Sequence, residues 1–210
     1  MTMAEILAAV DDHGFEDTEA SRKTQVTNAV IGSICSREPW TFLEADASVT
    51  FAAATAAITL PSDFRAALSL IIPSLGLTLV PERADTIIKN RPSGLDAAGT
   101  PRHYYFVGNE LRVVPVQATE YTGTLYYLRN HAQVTESSVE ADILIPPGHH
   151  QGIVDGVCSR LYAMEDDGEN AMLFKSLYEQ DIAEMADTWK RQYDLPDRVI
   201  DVFENGEGWY

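Results

Sequence analysis

The chain has 210 residues, 45% of them hydrophobic, and its 32 acidic against 15 basic residues give a formal net charge of −17. This composition indicates a globular protein, and the length is enough for one sizeable core or for a core with a smaller inserted domain. The charge argues against a protein that holds nucleic acid through phosphate contacts and against docking on anionic lipid, because both need clustered Lys and Arg.

The first 40 residues predict two helices. Apolar residues spaced between Ile6 and Val10 fit one face of a short helix. Thr18 is the expected N-cap of a second helix, which ends near Pro39 because the residue before a proline leaves the helical region. The apolar stripe of the second helix comprises Val26, Val30, Ile31 and Ile34.

Residues 41–130 show a β pattern, with short β-branched and aromatic runs between Pro and Gly residues. Gly108-Asn109 between two of these runs is a strong hairpin signal. Repeated short strands at turn spacing predict an antiparallel sandwich or barrel, with a short helix at 82–90. The predicted strands are 48–51, 57–60, 68–72, 77–80, 103–107, 111–116 and 124–128.

After Pro146-Pro147, apolar residues again recur at the spacing of a helix. One helix is expected up to the polar turn at 165–170, and a longer one from Phe174 to Trp189, packed as an antiparallel hairpin. Cys158 falls on the apolar stripe of the first of these helices, so we expect it to be buried. Cys35 is the only other cysteine, so neither a disulfide scaffold nor a Cys-rich metal site is expected.

Together these elements predict an α+β fold of four segments. The N-terminal helices, residues 1–40, and the C-terminal helices, residues 131–196, are expected to form a four-helix bundle. Residues 41–130 are the inserted antiparallel β-sandwich or barrel module, and residues 197–210 are an extended tail arm. Charge divides in the same way, since residues 131–210 carry 17 acids against five bases while the β module is nearly neutral.

The best local candidate for a metal site is formed by His149, His150 and Asp155, and it supports a metal-dependent hydrolase as an alternative function. Adjacent histidines on a helix point about 100° apart, so they do not normally share one ion. The spacing also matches no HExxH motif. We therefore predict no bound metal, no cofactor and no catalytic residue.

Two further regions carry predicted functional residues. The acidic turn lacks the ligand pattern of a calcium loop, so we expect a solvated turn in which Asp167 or Asn170 caps the next helix. Its acids are Glu165, Asp166, Asp167 and Glu169. The tail is rich in apolar and aromatic residues, which are favoured interface anchors. Its predicted interface residues are Val199, Ile200, Phe203, Trp209 and Tyr210.

Two tyrosine pairs support a third hypothesis, a carbohydrate- or protein-binding module of a tail or decoration protein. The pairs are Tyr104 with Tyr105 and Tyr126 with Tyr127, each on a predicted strand. Because neighbours on a strand point to opposite faces, we expect one member of each pair to lie in the core.

The order of short motifs along the chain carries a resemblance. The motifs are PWTF at 39–42, LPSDFR at 60–65, PRHYY at 101–105 before the Gly108-Asn109 hairpin, LRVVP at 111–115 and TLYY at 124–127. In this order, and followed by two closing helices, the chain resembles the head-to-tail connector (adaptor) proteins of tailed bacteriophages.

The resemblance implies a structural protein of the virion, not an enzyme, synthesised in the host cytoplasm and not bound to a membrane. It implies a ring, commonly of twelve copies, beneath the portal protein, with a tail or nozzle protein on the other side and DNA passing through without specific binding. The C-terminal segment is expected to reach a neighbouring subunit or the portal. We further expect the acids of the 165–169 turn to face the channel, where they would repel phosphates.

Overall fold

The computed structural model of the chain divides into two compact units. The helical unit comprises residues 1–43 and 130–191, and the sheet unit comprises residues 44–129. An α+β fold is therefore confirmed, whereas the predicted domain limits stay predictions. The residues that the structure describes are 1–55, 57–90 and 98–191.

The described residues form five α-helices and nine β-strands. The helices are α1 (Met3–Val10), α2 (Ala20–Arg37), α3 (Ala84–Asn90), α4 (His150–Met164) and α5 (Gly168–Trp189). The strands are β1 (Glu44–Phe51), β2 (Ala57–Thr59), β3 (Phe64–Ile72), β4 (Leu77–Pro81), β5 (Ala98–Gly99), β6 (His103–Val107), β7 (Glu110–Val114), β8 (Val116–Gln117) and β9 (Tyr121–Arg129).

Helix α4 is the centre of the helical unit, because it packs against α1, α2 and α5. Ile153, Val154 and Val157 of α4 are fully buried, and so is Cys158, as predicted. Burial raises the pKa of the Cys158 thiol to about 12, so this thiol stays protonated. Helices α4 and α5 form the predicted hairpin, and a closed four-helix bundle stays a prediction.

A sharp turn connects α1 to α2. Gly14 has φ +92°, a left-handed conformation that glycine adopts without strain. The buried Lys23 forms an ion pair with Asp11 and donates to the carbonyl of Phe15 (3.4 Å), which ties α2 to this turn. The prediction of Thr18 as N-cap is wrong: α2 begins at Ala20, and Thr18 belongs to the turn instead, where its backbone N–H donates to the Phe15 carbonyl.

The sheet unit contains a nearly closed seven-stranded sheet with the order β1-β9-β3-β4-β6-β7-β2. The predicted hairpin at Gly108-Asn109 joins β6 and β7. The prediction of a purely antiparallel module is wrong, because β4 and β6 pair in parallel. The physical reason is the connection between them, which contains α3 and so crosses over before β6 begins. A sandwich of two stacked sheets is not confirmed.

The core of the sheet unit is apolar and continuous across most of the strands. It includes fully buried side chains from β1, β3, β7 and β9. The most buried members are Phe51, Leu70, Ile72, Leu111, Val113 and Leu125, each 0% exposed. A smaller cluster of Ile87, Tyr105 and Val114 packs α3 against the other face.

Candidate assembly surfaces

The acidic turn lies between α4 and α5, where the chain reverses in three residues. Asp167 is the N-cap of α5, as predicted, and accepts from the backbone N–H of Asn170 (3.2 Å) and from its side chain (2.7 Å). These hydrogen bonds hold the pKa of Asp167 below its usual value. The carboxylates of Glu165, Asp166 and Glu169 are exposed, so three of the four predicted acids remain available to a partner or to a passing polyanion.

Helix α5 carries two exposed leucines beside its buried stripe. Leu173 and Leu177 are 56% and 42% exposed, and they lie one turn apart on the same side of the helix. Met172, beside them in sequence, is 75% exposed. The two leucines on one side of the helix are therefore a candidate contact surface for another protein.

The predicted metal-site residues point to different partners. His149 Nδ1 lies 3.0 Å from Asp181 Oδ1, His150 Nε2 donates to the Ile145 carbonyl (2.8 Å), and Asp155 accepts from the Gln151 amide (3.1 Å). No group of three or more His, Cys, Asp and Glu that could hold a metal ion occurs among the residues that the structure describes. The hydrolase alternative therefore gains no support from this geometry.

Burial shifts the ionisation of two of these groups. The side chains of His150 and Asp155 are buried, and desolvation lowers the pKa of His150 and raises that of Asp155. Both shifts disfavour the charged form, which is the ordinary result of burial within a helix interface. Burial is the largest cause of both shifts, so neither shift requires a reactive site.

Two glycines on α4 set how closely its neighbours approach, and the sequence analysis missed both. A β-carbon on Gly152 would lie 2.1 Å from Asp181 Oδ2, and one on Gly156 would lie 2.8 Å from Val30 Cγ1. The side chains of α5 and α2 thus fill the space that a larger residue would need. Their spacing of four residues within an apolar helix is the signal that could have identified them.

The tyrosine pairs do not form an exposed aromatic platform. Tyr104, Tyr105 and Tyr127 are 2–5% exposed, and only Tyr126 of the four is exposed, at 42%. One member of each pair, Tyr104 and Tyr127, lies in the main core of the sheet unit, as expected. Tyr105 lies on the other face of its strand and is buried there as well, because α3 covers that face. The carbohydrate-binding alternative therefore loses most of its predicted contact surface.

The predicted interface residues of the tail lie outside the described residues, so their role stays a prediction. They are Val199, Ile200, Phe203, Trp209 and Tyr210.

Comparison with known families decides the identity of the chain. The family model described as SU10 adaptor protein matches residues 1–203. The chain belongs to the SU10 adaptor protein family. This is a family of phage head–tail adaptors, so the resemblance that the motif order indicated is confirmed. A search of curated proteins returned no match.

Membership of the SU10 adaptor family has direct consequences for partners and location. It implies interaction with portal and tail proteins, a place in the virion and the structural role of a phage adaptor. Throughout the described ranges, no helix is both long and apolar enough to cross a membrane.

Proposed function

We propose that this adaptor forms a ring of twelve copies beneath the portal. The ring would link the capsid to the tail or nozzle and let DNA pass. The observation that carries the proposal is the family match, which extends over residues 1–203. The helical unit, as a four-helix bundle, would build the ring, and the sheet unit would be an insertion within it. The alternatives of a metal-dependent hydrolase and of a sugar-binding module have no comparable support.

A closed ring of identical subunits needs two different contact surfaces on each copy. The exposed apolar side of α5, with Leu173 and Leu177, is one candidate. The tail residues 197–210 are the second, since their aromatic side chains suit an interface with a neighbouring subunit or with the portal.

We further propose that the acidic turn faces the channel. The exposed carboxylates of Glu165, Asp166 and Glu169 would repel DNA phosphates, so that the genome slides without binding. The excess of acids in residues 131–210, 17 against five bases, supports this placement.

Electron microscopy of the protein mixed with its portal tests the proposal. We expect a ring stacked on the portal, with density for the acidic turn along the channel wall. Deletion of residues 197–210 is expected to abolish docking while the circular dichroism spectrum keeps its helical signal. A chain that never assembles on the portal would refute the ring. An acidic turn on the outer surface of a ring would refute only its channel role.

A further inference from the structure

Helices α2, α4 and α5 enclose a cleft of about 210 Å³ within the helical unit. One cation from each helix lines it: Arg37, Arg160 and Lys175. Neither Arg160 nor Lys175 has an ion-pair partner in the part of the chain that the structure describes. Lys175 nevertheless acts on Glu179, because the hydrogen bond from Arg37 and the charges of Arg37 and Lys175 lower the pKa of that carboxylate.

The third cation is already neutralised. Arg37 donates to both carboxylate oxygens of Glu179, at 2.5 and 2.7 Å, and its guanidinium carbon lies 5.2 Å from the ring centre of Tyr178. Glu179 is the one acidic residue in the lining of the cleft. The lining of the cleft thus has three cations against one carboxylate, so its net charge is positive and it is suited to an anionic ligand.

A second observation comes from Tyr178, which also lines the cleft. Its side chain is only 8% exposed, and its buried hydroxyl has no hydrogen-bond partner among the described residues. Buried polar groups are almost always paired, because leaving one unpaired costs free energy. An acceptor that enters the cleft would supply the missing partner. A carboxylate matches both this hydroxyl and the cations Arg160 and Lys175.

We propose that the cleft binds the acidic tail segment, residues 197–210, of a second copy of this chain. The segment carries four acids against one base, so its charge is opposite to that of the cleft. It also carries aromatic residues, and the 75% exposed Met172 lies three positions before Lys175 on α5, where it offers an apolar contact beside the cations. The proposal rests on the proposed function, because it supplies a contact between subunits.

Geometry favours a second copy over the segment's own subunit. Lys175 lies 14 residues before Trp189, the last residue of α5, which is a rise of about 21 Å. A segment binding its own cleft would have to reverse direction and run back along this length. A neighbouring copy has no such restriction, and a contact between unlike surfaces is what ring closure requires.

Fluorescence anisotropy with a labelled peptide of residues 197–210 tests the cleft. We expect saturable binding to the full chain that weakens with salt, and about tenfold weaker binding to the variant Arg160→Ala/Lys175→Ala. The matched control is Arg83→Ala/Lys89→Ala, which removes two exposed cations from the sheet unit and should leave affinity unchanged. No saturable binding, or equal binding to both variants, would overturn the proposal.

Two further variants separate ligand binding from packing. Glu179→Gln removes the competing carboxylate, so we expect tighter peptide binding. Tyr178→Phe is expected to weaken peptide binding several-fold without lowering the urea midpoint, since the hydroxyl that it removes has no partner in the described structure. A lower midpoint with unchanged peptide affinity would show that Tyr178 serves packing alone.

Complementation between full-length variants tests the second copy. One variant carries neutralised tail acids (Asp201→Asn, Glu204→Gln and Glu207→Gln), and the other carries the two alanines in the cleft. Neither should associate with itself, whereas their mixture should form a heterodimer by light scattering, because one intact tail meets one intact cleft. Peptide binding without complementation would place the segment in its own subunit and refute the contact between copies.

Two outcomes distinguish this proposal from a phosphate-binding site and from the proposed ring function. If a single-stranded oligonucleotide displaced the peptide and bound through Arg160 and Lys175 with higher affinity, the cleft would be a phosphate site and the proposal would be wrong. If rings formed on the portal while the peptide failed to bind, the inference would fail and the proposed function would stand. If the peptide bound the cleft while no ring formed on the portal, only the proposed ring would be refuted.

Discussion

Substitution of Gly156 by alanine is expected to destabilise the helical unit, although alanine is the better helix former. The added β-carbon would lie 2.8 Å from Val30 Cγ1 and 2.9 Å from Tyr178 Cδ2. Both neighbours are buried, at 1% and 8% exposure, so neither moves away freely. Overpacking of this kind costs about 1–3 kcal/mol. The higher helix propensity of alanine offsets about 1 kcal/mol, which leaves a net loss of up to about 2 kcal/mol.

Gly32 of α2 offers a matched control. It is a helical glycine whose added β-carbon would meet nothing within 4 Å, so Gly32→Ala should raise the free energy of unfolding by about 0.5–1 kcal/mol. Urea unfolding followed by circular dichroism measures both variants, and each kcal/mol corresponds to roughly 2–4 °C in Tm for a chain of this size. The reasoning fails if Gly156→Ala is as stable as Gly32→Ala.

Two other substitutions test buried polar groups. Burial raises the pKa of Asp155, so the stability associated with its protonated form is present at low pH and is lost as pH rises through that pKa. The urea midpoint of Asp155→Asn should therefore be higher than that of the native chain at pH 7 and equal to it near pH 3.5. Equal midpoints of variant and native chain at both pH values would contradict this reasoning. Tyr127 donates to Asp63 (2.9 Å), so Tyr127→Phe should lose about 1 kcal/mol of unfolding free energy, whereas the exposed Tyr126→Phe should lose almost none.

Local pattern was enough to predict most of the elements. The apolar stripe of α2, the hairpin at Gly108-Asn109 and the cap at Asp167 depend on residues close in sequence, and the structure confirms all three. Prediction failed where distant partners decide the outcome. The parallel pairing of β4 with β6 depends on a crossover connection, which the alternation of apolar and polar residues along a strand does not reveal. The burial of Tyr105 depends on contact with α3.

The same division holds for the candidate functional surfaces. The acidic turn is contiguous, so its composition and exposure could be predicted from the sequence. The cleft could not be, because Arg37 on α2 lies more than a hundred residues before Arg160 on α4 and Lys175 on α5. Sequence alone determined the acidic character, the order of elements and the adaptor resemblance, since these are properties of local composition and motif order. Only the tertiary structure decided which charges remain unpaired, because pairing depends on which helices pack together.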